Sequence, residues 1–183
     1  MKAVFLDIDG VLMPLNKKRR PNYINSDIIS LLNNKYYINY NKYDIKDVCR
    51  VYYDWDKNAI ERLRKILCVT DSKIIISSNW RDENKPFKMN DLLKIHNLDY
   101  YYYCDNKILN SSCDIFENRT NEINDSLNRY DISNYVVIDD WYPLKKYFKN
   151  NFVCTNSIID DNNVISAIKI LNKYGQNNYI SVK

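Results

Sequence analysis

The feature that most constrains how this chain can fold is an apolar run at residues 3–6 that leads into Asp7, Asp9 and Gly10. The run is short and contains aromatic and β-branched side chains, which is typical of a buried strand. Open α/β sheets bind ligands beyond the carboxyl ends of their strands, so both aspartates are predicted to line a pocket. The chain contains 2 glycines, and the use of one at this turn indicates that a Cβ is not tolerated there.

Paired carboxylates at a strand end restrict the chemistry of such a pocket. They repel each other unless a cation neutralises them or one of them holds a proton. A hard divalent cation with oxygen ligands, such as Mg²⁺, suits the pair, and an aspartate can also attack phosphorus and carry the phosphoryl group. The alternative is a solvated turn, but the apolar strand before Asp7 and the apolar Val11 and Leu12 after Gly10 favour the pocket.

Two further apolar runs also end in polar side chains. The run at residues 74–76 is followed by Ser77 and Ser78, and a later run is followed by Asp139 and Asp140. A helix between two strands gives a right-handed crossover, which makes the strands parallel. Parallel strands end at the same edge of a sheet, so the sequence predicts one pocket that receives all three polar clusters.

The rest of the chain predicts an alternation of helices and short strands. Helices are predicted over residues 55–67, 86–98, 119–130 and 143–148, with a last helix capped by Asp160 or Asp161 and ended by Gly175, and short strands over residues 100–104 and 152–153.

Residues 13–55 form a polar, tyrosine-rich stretch that is longer than a tight connection requires. Within it, a helix is predicted to begin at Ser26, and residues 48–53 are predicted to form a strand or an extended edge. We expect this stretch to be a flap or small cap near the pocket, inserted into a single domain that covers residues 1–183.

Composition narrows the class of protein. The 183 residues carry a formal net charge of +4, which does not by itself indicate a nucleic-acid binder. The 5 cysteines are scattered and form no CxxC pair, which favours a reducing compartment over a disulfide framework or a zinc site. No leader pattern and no long apolar run is visible, so a cytoplasmic protein without a membrane partner is expected.

Three motifs together resemble those of the haloacid dehalogenase (HAD) superfamily of phosphohydrolases. The sequence DIDGV at residues 7–11 matches the first motif, Ser77 after III matches the second, and Asp139-Asp140 after VVI matches the fourth. More narrowly, FLDIDGVL, ISSNWR and NRTNEI followed by VVIDD look like the HAD domains associated with RNA-repair proteins and phage phosphatases. The resemblance is weakest over residues 13–55.

The resemblance implies a role for each of the acidic residues. Asp7 would be the nucleophile and a magnesium ligand. Asp9 would be the general acid and then the base, and its backbone carbonyl would be a further metal ligand. Asp139 would complete the metal shell, and Asp140 would either add a ligand or cap the helix predicted at residues 143–148.

The resemblance also implies a phosphate-binding group. Ser77 would hold a phosphoryl oxygen, with Ser78 as the alternative because strand phase alone separates the two. Arg119 would be the basic residue of the third motif, with Lys107 as a second candidate and a solvated helix position as the alternative for Arg119.

The sequence indicates the roles of several nearby residues less specifically. Gly10, Asn79 and Arg81 are candidate substrate contacts, although a surface ion pair also accounts for Arg81. Trp80 is expected to have a packing role and His96 a structural one. Residues 100–103 are expected to form a half-buried strand. The basic run at residues 17–20 is expected to be a solvated loop, which could also attract an anionic substrate.

The expected fold is α/β, a three-layer α/β/α sandwich around a mostly parallel five-stranded sheet of HAD-like, Rossmannoid type, for which the resemblance implies the strand order 5-4-1-2-3. The expected function is a magnesium-dependent phosphatase that acts through an aspartyl-phosphate, on phosphorylated nucleic-acid ends, nucleotides or small metabolites. The alternative is a catalytically weak HAD-fold module that binds nucleic acid or protein.

Overall fold

The computed structural model describes residues 1–15, 24–81, 87–103 and 115–173, with the backbone alone for residues 115–118. These residues form a parallel sheet in the order β2-β1-β3-β4. The strands are β1 (Lys2–Leu6), β2 (Ser72–Ile76), β3 (Asn134–Asp139) and β4 (Phe152–Cys154). The helices are α1 (Ser26–Tyr36), α2 (Ile45–Asp54), α3 (Lys57–Thr70), α4 (Lys88–Lys94), α5 (Ile115–Arg129), α6 (Lys145–Phe148) and α7 (Asp161–Leu171).

The central strand β1 separates two apolar cores, because successive side chains of a strand point to opposite faces. Val4 and Leu6 pack into the larger core, with side chains from α1, α2, α3, α4 and α7. Ala3 and Phe5 pack into the smaller core, with Ile123 of α5 and side chains from α6 and β4. Helices therefore cover both faces of the sheet, and the three-layer α/β/α arrangement expected from the sequence is confirmed.

The strand count differs from the expected five. Beyond β2, where a fifth strand was predicted, the described residues contain a single bridge between Ile74 and Tyr102, and the Tyr103 N–H donates to the Ile74 carbonyl over 2.8 Å. The three residues before this bridge, Asp99–Tyr101, wind into a 3₁₀ turn, which prevents a longer strand from pairing. The position of this bridge agrees with the implied strand order.

The predicted helices are present, with shifted ends. The Asp56 side chain caps α3 by accepting from the backbone N–H groups of Asn58 and Ala59. Asp160, rather than Asp161, caps α7 through a reciprocal capping box with Asn163.

Two helices end earlier than the sequence suggested. The helix α4 stops at Lys94, and Asn97 then adopts a left-handed φ of 55°. The helix α7 stops at Leu171, four residues before Gly175, which lies outside the described residues. No helix in the described ranges is both long enough and apolar enough for a membrane crossing.

The strand or extended edge predicted at residues 48–53 is wrong, because these residues belong to α2. Asp44 caps this helix by accepting from the Lys46 N–H, and Val48, Cys49 and Val51 form its buried face. The short apolar run is compatible with the period of a helix and with that of a strand. The Asp44 cap and packing against the core favour the helix.

The stretch that contains α1 and α2 is held against the main body by hydrogen bonds to Asp91 of α4. The Tyr40 hydroxyl donates to the Asp91 carbonyl over 2.8 Å, and the Tyr43 hydroxyl donates to Asp91 Oδ2 over 2.6 Å. Lys42 adds an ion pair to the same carboxylate, with Nζ 2.9 Å from Oδ2. These contacts tie the turn that precedes α2 to α4.

Candidate active site

The carboxyl edge of the sheet brings together three acidic side chains. Carboxylate oxygens of Asp7, Asp139 and Asp140 lie within 4.8 Å of one another. The Asp139 side chain is fully buried and Asp7 is nearly so. The strands explain this convergence, because Leu6 of β1 is in register with both Ile76 of β2 and Ile138 of β3.

Arg119 of α5 neutralises this cluster from inside the protein. Its Nη1 lies 2.7 Å from Asp139 Oδ2 and 3.5 Å from Asp7 Oδ2. The guanidinium is buried, so Arg119 is not a solvated helix residue. The other candidate for this position, Lys107, lies outside the described residues.

Burial and charge together set the protonation behaviour of the cluster. Burial raises the pKa of Asp7 to about 6, and the nearby Arg119 opposes this rise. Burial likewise raises the pKa of Asp139, against the effect of Arg119. Burial acts to lower the pKa of Arg119, but the negative charges of Asp7 and Asp139 raise this pKa above its ordinary value.

The turn after β1 requires a glycine at position 10. Gly10 has a φ of +75°, and an added Cβ would lie 2.8 Å from Asp140 Cβ and closer still to the Asp140 carboxylate. The Thr155 hydroxyl donates to the Gly10 carbonyl over 2.7 Å and fixes the turn from the end of β4. The prediction that a Cβ is not tolerated there is confirmed.

The two serines after β2 have different environments. Ser77 continues the sheet, since its N–H donates to the Leu6 carbonyl over 3.0 Å, and its hydroxyl is buried without a hydrogen-bond partner among the described residues. The Ser78 side chain lowers the pKa of Asp7 against the effect of burial, and its hydroxyl accepts from the Trp80 N–H over 3.5 Å. Asn79, the next residue, is exposed.

Asp9 lies beside the cluster and has partners of its own. Trp80 Nε1 donates to Asp9 Oδ2 over 2.9 Å, and Arg50 Nη2 lies 3.4 Å from Asp9 Oδ1. Trp80 is buried and its ring meets the Trp55 ring edge-on at 6.0 Å, so packing describes only part of its role.

Arg50 was not among the residues that the sequence indicated. It lies in α2, which the sequence suggested to be extended, and it reaches Asp9 only through the packing of the inserted helices. No spacing or motif in the sequence relates residue 50 to residue 9, which is 41 positions away.

Arg81 forms a largely buried ion pair. Its Nη2 pairs with Glu122 Oε2, and both side chains are 17% exposed. Glu122 lies one helical turn after Arg119 on α5, so one helix anchors both the carboxylate cluster and the loop after β2.

The remaining alternatives from the sequence are also distinguished. No side chain caps the 3₁₀ turn Tyr142–Leu144, and Asp139 rather than Asp140 accepts from the Trp141 N–H, over 2.8 Å. Asp140 therefore belongs to the acidic cluster.

Of two further features that the sequence indicated, the structure describes one. His96 stacks on the Trp55 ring at 5.5 Å, and the basic run at residues 17–20 lies outside the described residues.

A comparison with protein families agrees with this geometry. Residues 3–160 match the family described as the HAD domain in Swiss Army Knife RNA repair proteins. The chain belongs to this family. HAD domains are generally hydrolases and generally use Mg²⁺, which agrees with the acidic cluster at the sheet edge of this HAD domain. No curated protein and no solved structure matches the chain.

Proposed function

We propose that this HAD domain is a magnesium-dependent phosphatase that works through an aspartyl-phosphate on Asp7. The observation that carries the proposal is the convergence of Asp7, Asp139 and Asp140, with their oxygens within 4.8 Å, around the buried guanidinium of Arg119. So much buried negative charge is retained at a cost to stability, which points to a function for it.

The donor set of the cluster fits Mg²⁺. Asp7, Asp139 and Asp140 offer the hard carboxylate oxygens that this ion prefers, and the Asp9 backbone carbonyl is a further candidate ligand. When bound, the ion would supply charge neutralisation for the approach of an anionic nucleophile to an anionic phosphate.

Asp7 and Asp9 divide the chemical steps between them. An Asp7 carboxylate oxygen attacks phosphorus, the bond from phosphorus to the leaving oxygen breaks, and Asp9 donates a proton to that oxygen. Asp9 then accepts a proton from water, the water oxygen attacks phosphorus, and the bond to Asp7 breaks. This returns both side chains to their starting states and releases inorganic phosphate.

Ser77 and Arg119 hold the phosphoryl group in this proposal. The Ser77 hydroxyl is buried without a partner among the described residues, so it is free to donate to a phosphoryl oxygen. Ser78 is the weaker candidate because its side chain already interacts with Asp7. Arg119 neutralises charge that develops around Asp7 during transfer.

Hydrolysis of p-nitrophenyl phosphate with and without Mg²⁺ tests the proposal. We expect magnesium-dependent turnover in the native protein and its loss, by at least about 1000-fold, in Asp7→Asn, because the nucleophile is removed. Asp161→Asn is the matched control, since Asp161 lies on the surface at the start of α7 and its side chain is 82% exposed. Equal activity in Asp7→Asn and the control would contradict the mechanism.

The substrate that we propose is a phosphorylated nucleic-acid end or a nucleotide, because the matching family occurs in RNA repair proteins. The inserted stretch at residues 13–55 would act as a small cap at one side of an open pocket within a single domain. A panel of 3′- and 5′-phosphorylated oligonucleotides, nucleotides and sugar phosphates tests this choice. A preference for sugar phosphates would contradict it, and salt-sensitive binding of RNA without turnover would favour a binding module.

A further inference from the structure

A cation of α2 lies beside Asp9. Arg50 of α2 places Nη2 3.4 Å from Asp9 Oδ1, and its guanidinium lies over the Trp80 ring, 4.6 Å from the centroid. Trp80 in turn donates to the other oxygen of the same carboxylate. A stack on a buried ring and a bond to a shared partner hold the guanidinium in one orientation.

Arg50 differs from the other two arginines of the site in its exposure to solvent and in its hydrogen bonds. Arg119 is 10% exposed between two carboxylates, and Arg81 is 17% exposed and paired with Glu122. The Arg50 side chain is 35% exposed, and its hydrogen bonds to described residues all come from Nη2. Nη1 and Nε therefore have no hydrogen-bond partner among the described residues, which leaves them available for a ligand.

The contact with Asp9 determines which part of a substrate Arg50 can meet. In the proposed mechanism Asp9 delivers its proton to the leaving oxygen, so a group bonded to Asp9 lies on the leaving-group side of the phosphorus. Arg119 contacts Asp7 and Asp139 instead. A planar guanidinium with free N–H groups matches a phosphate or phosphodiester better than a neutral alcohol.

We propose that Arg50 binds a second phosphate carried by the leaving group, so that the preferred substrates are phosphomonoesters of already phosphorylated alcohols. This inference rests on the proposed phosphatase function and names the substrate class of the same site. The ion pair between Arg50 and Asp9 is long and partly exposed, so a phosphate replaces or shares it readily.

The test compares a nucleoside 3′,5′-bisphosphate with the two corresponding monophosphates and p-nitrophenyl phosphate, all with Mg²⁺. We expect kcat/KM for the bisphosphate to exceed that for the monophosphates by about 10- to 100-fold, the range of one charge-assisted contact. Arg50→Gln removes most of this preference, and Arg50→Lys retains part of it, because an ammonium keeps the charge but not the fork.

Two further variants separate binding of the second phosphate from orientation of Asp9. Trp80→Phe keeps a ring under Arg50 but removes the N–H to Asp9, so it lowers kcat on every substrate and keeps the preference. Arg62→Gln removes a surface arginine that pairs with Asp161, away from the site, and leaves both rate and preference unchanged.

The inference fails if the native protein shows no preference for the bisphosphate, or if Arg50→Gln lowers kcat/KM for all substrates by one factor. The second result would make Arg50 a positioning residue for Asp9 only. A calorimetric titration of Asp7→Asn, with and without Arg50→Gln, gives the same comparison without turnover. Absence of turnover in the native protein would contradict the proposed function, whereas equal affinities for bisphosphate and monophosphate would overturn the role of Arg50.

Discussion

Replacement of Arg119 by methionine should be among the most destabilising changes at this site. The guanidinium lies between Asp139, whose side chain is 0% exposed, and Asp7, whose side chain is 6% exposed, at 2.7 and 3.5 Å. Removal of one partner from a buried ion pair leaves uncompensated charge and costs about 3–5 kcal/mol. A domain is stable by about 5–15 kcal/mol, so the variant should still fold in the absence of denaturant.

The pH dependence of this loss follows from the carboxylates that remain. The pKa of Asp7 is already about 6 in the folded protein, against an ordinary 3.8. Ionisation of Asp7 therefore lowers the free energy of unfolding by roughly 3 kcal/mol at pH 7. Loss of Arg119 raises the pKa of Asp7 and Asp139 further. A raised carboxylate pKa means that the folded state binds more protons than the unfolded state, so stability falls as pH rises. The penalty of Arg119→Met should therefore be smaller at pH 5 than at pH 8.

Urea unfolding followed by circular dichroism at pH 5 and pH 8 measures both effects. Arg62→Met is the matched control, because Arg62 forms its ion pair with Asp161, whose side chain is 82% exposed, and such pairs contribute little. Added Mg²⁺ should restore part of the stability of Arg119→Met. A loss no larger than that of the control, or a loss equal at both pH values, would refute the reasoning.

Three further changes test other parts of the structure. Gly10→Ala places an L side chain at a φ of +75° beside Asp140, so urea unfolding should show a loss of at least about 1–2 kcal/mol; an unchanged midpoint would mean that the turn relaxes. Glu122→Gln removes the charge partner of Arg81 and should lower stability by about 1–2 kcal/mol, with no change expected if the pair were solvated. Burial lowers the pKa of His96, so the unfolded state binds more protons and stability falls as pH drops below about 6.5. Unfolding of His96→Gln should lack this contribution, and an identical pH profile would contradict it.

The sequence predicted the carboxyl edge of the sheet because its signals are local. Each strand is a short apolar run and each cluster follows directly, so Asp7, Ser77 and Asp139 could be placed at one edge from strand direction alone. The sequence could not choose between Ser77 and Ser78, because neighbouring residues of a strand differ only in phase. In the structure the Ser77 N–H donates to the Leu6 carbonyl and continues the sheet by one residue.

The inserted stretch was harder to predict because its structure depends on tertiary contacts. Apolar and aromatic side chains are frequent at residues 45–54, and the pattern at residues 48–53 is compatible with strand and helix alike. Arg50 lies in α2, and the turn before this helix is bound to Asp91 by the hydroxyls of Tyr40 and Tyr43, which lie more than 45 positions from Asp91 in the chain. No local sequence pattern reports such contacts.

The register of β1 connects the apolar cores to the chemistry at the sheet edge. Val4 and Leu6 enter one core and Ala3 and Phe5 the other, so a slip of one residue would exchange the two faces. The Asp7 N–H donates to the Ile138 carbonyl over 3.1 Å, which ties Asp7 to the same register. Because the two cores differ in size and in the side chains that fill them, such a slip would misplace every apolar contact of β1. Packing of the cores therefore places the Asp7 carboxylate beside Asp139 and Asp140, in spite of the repulsion between these three groups.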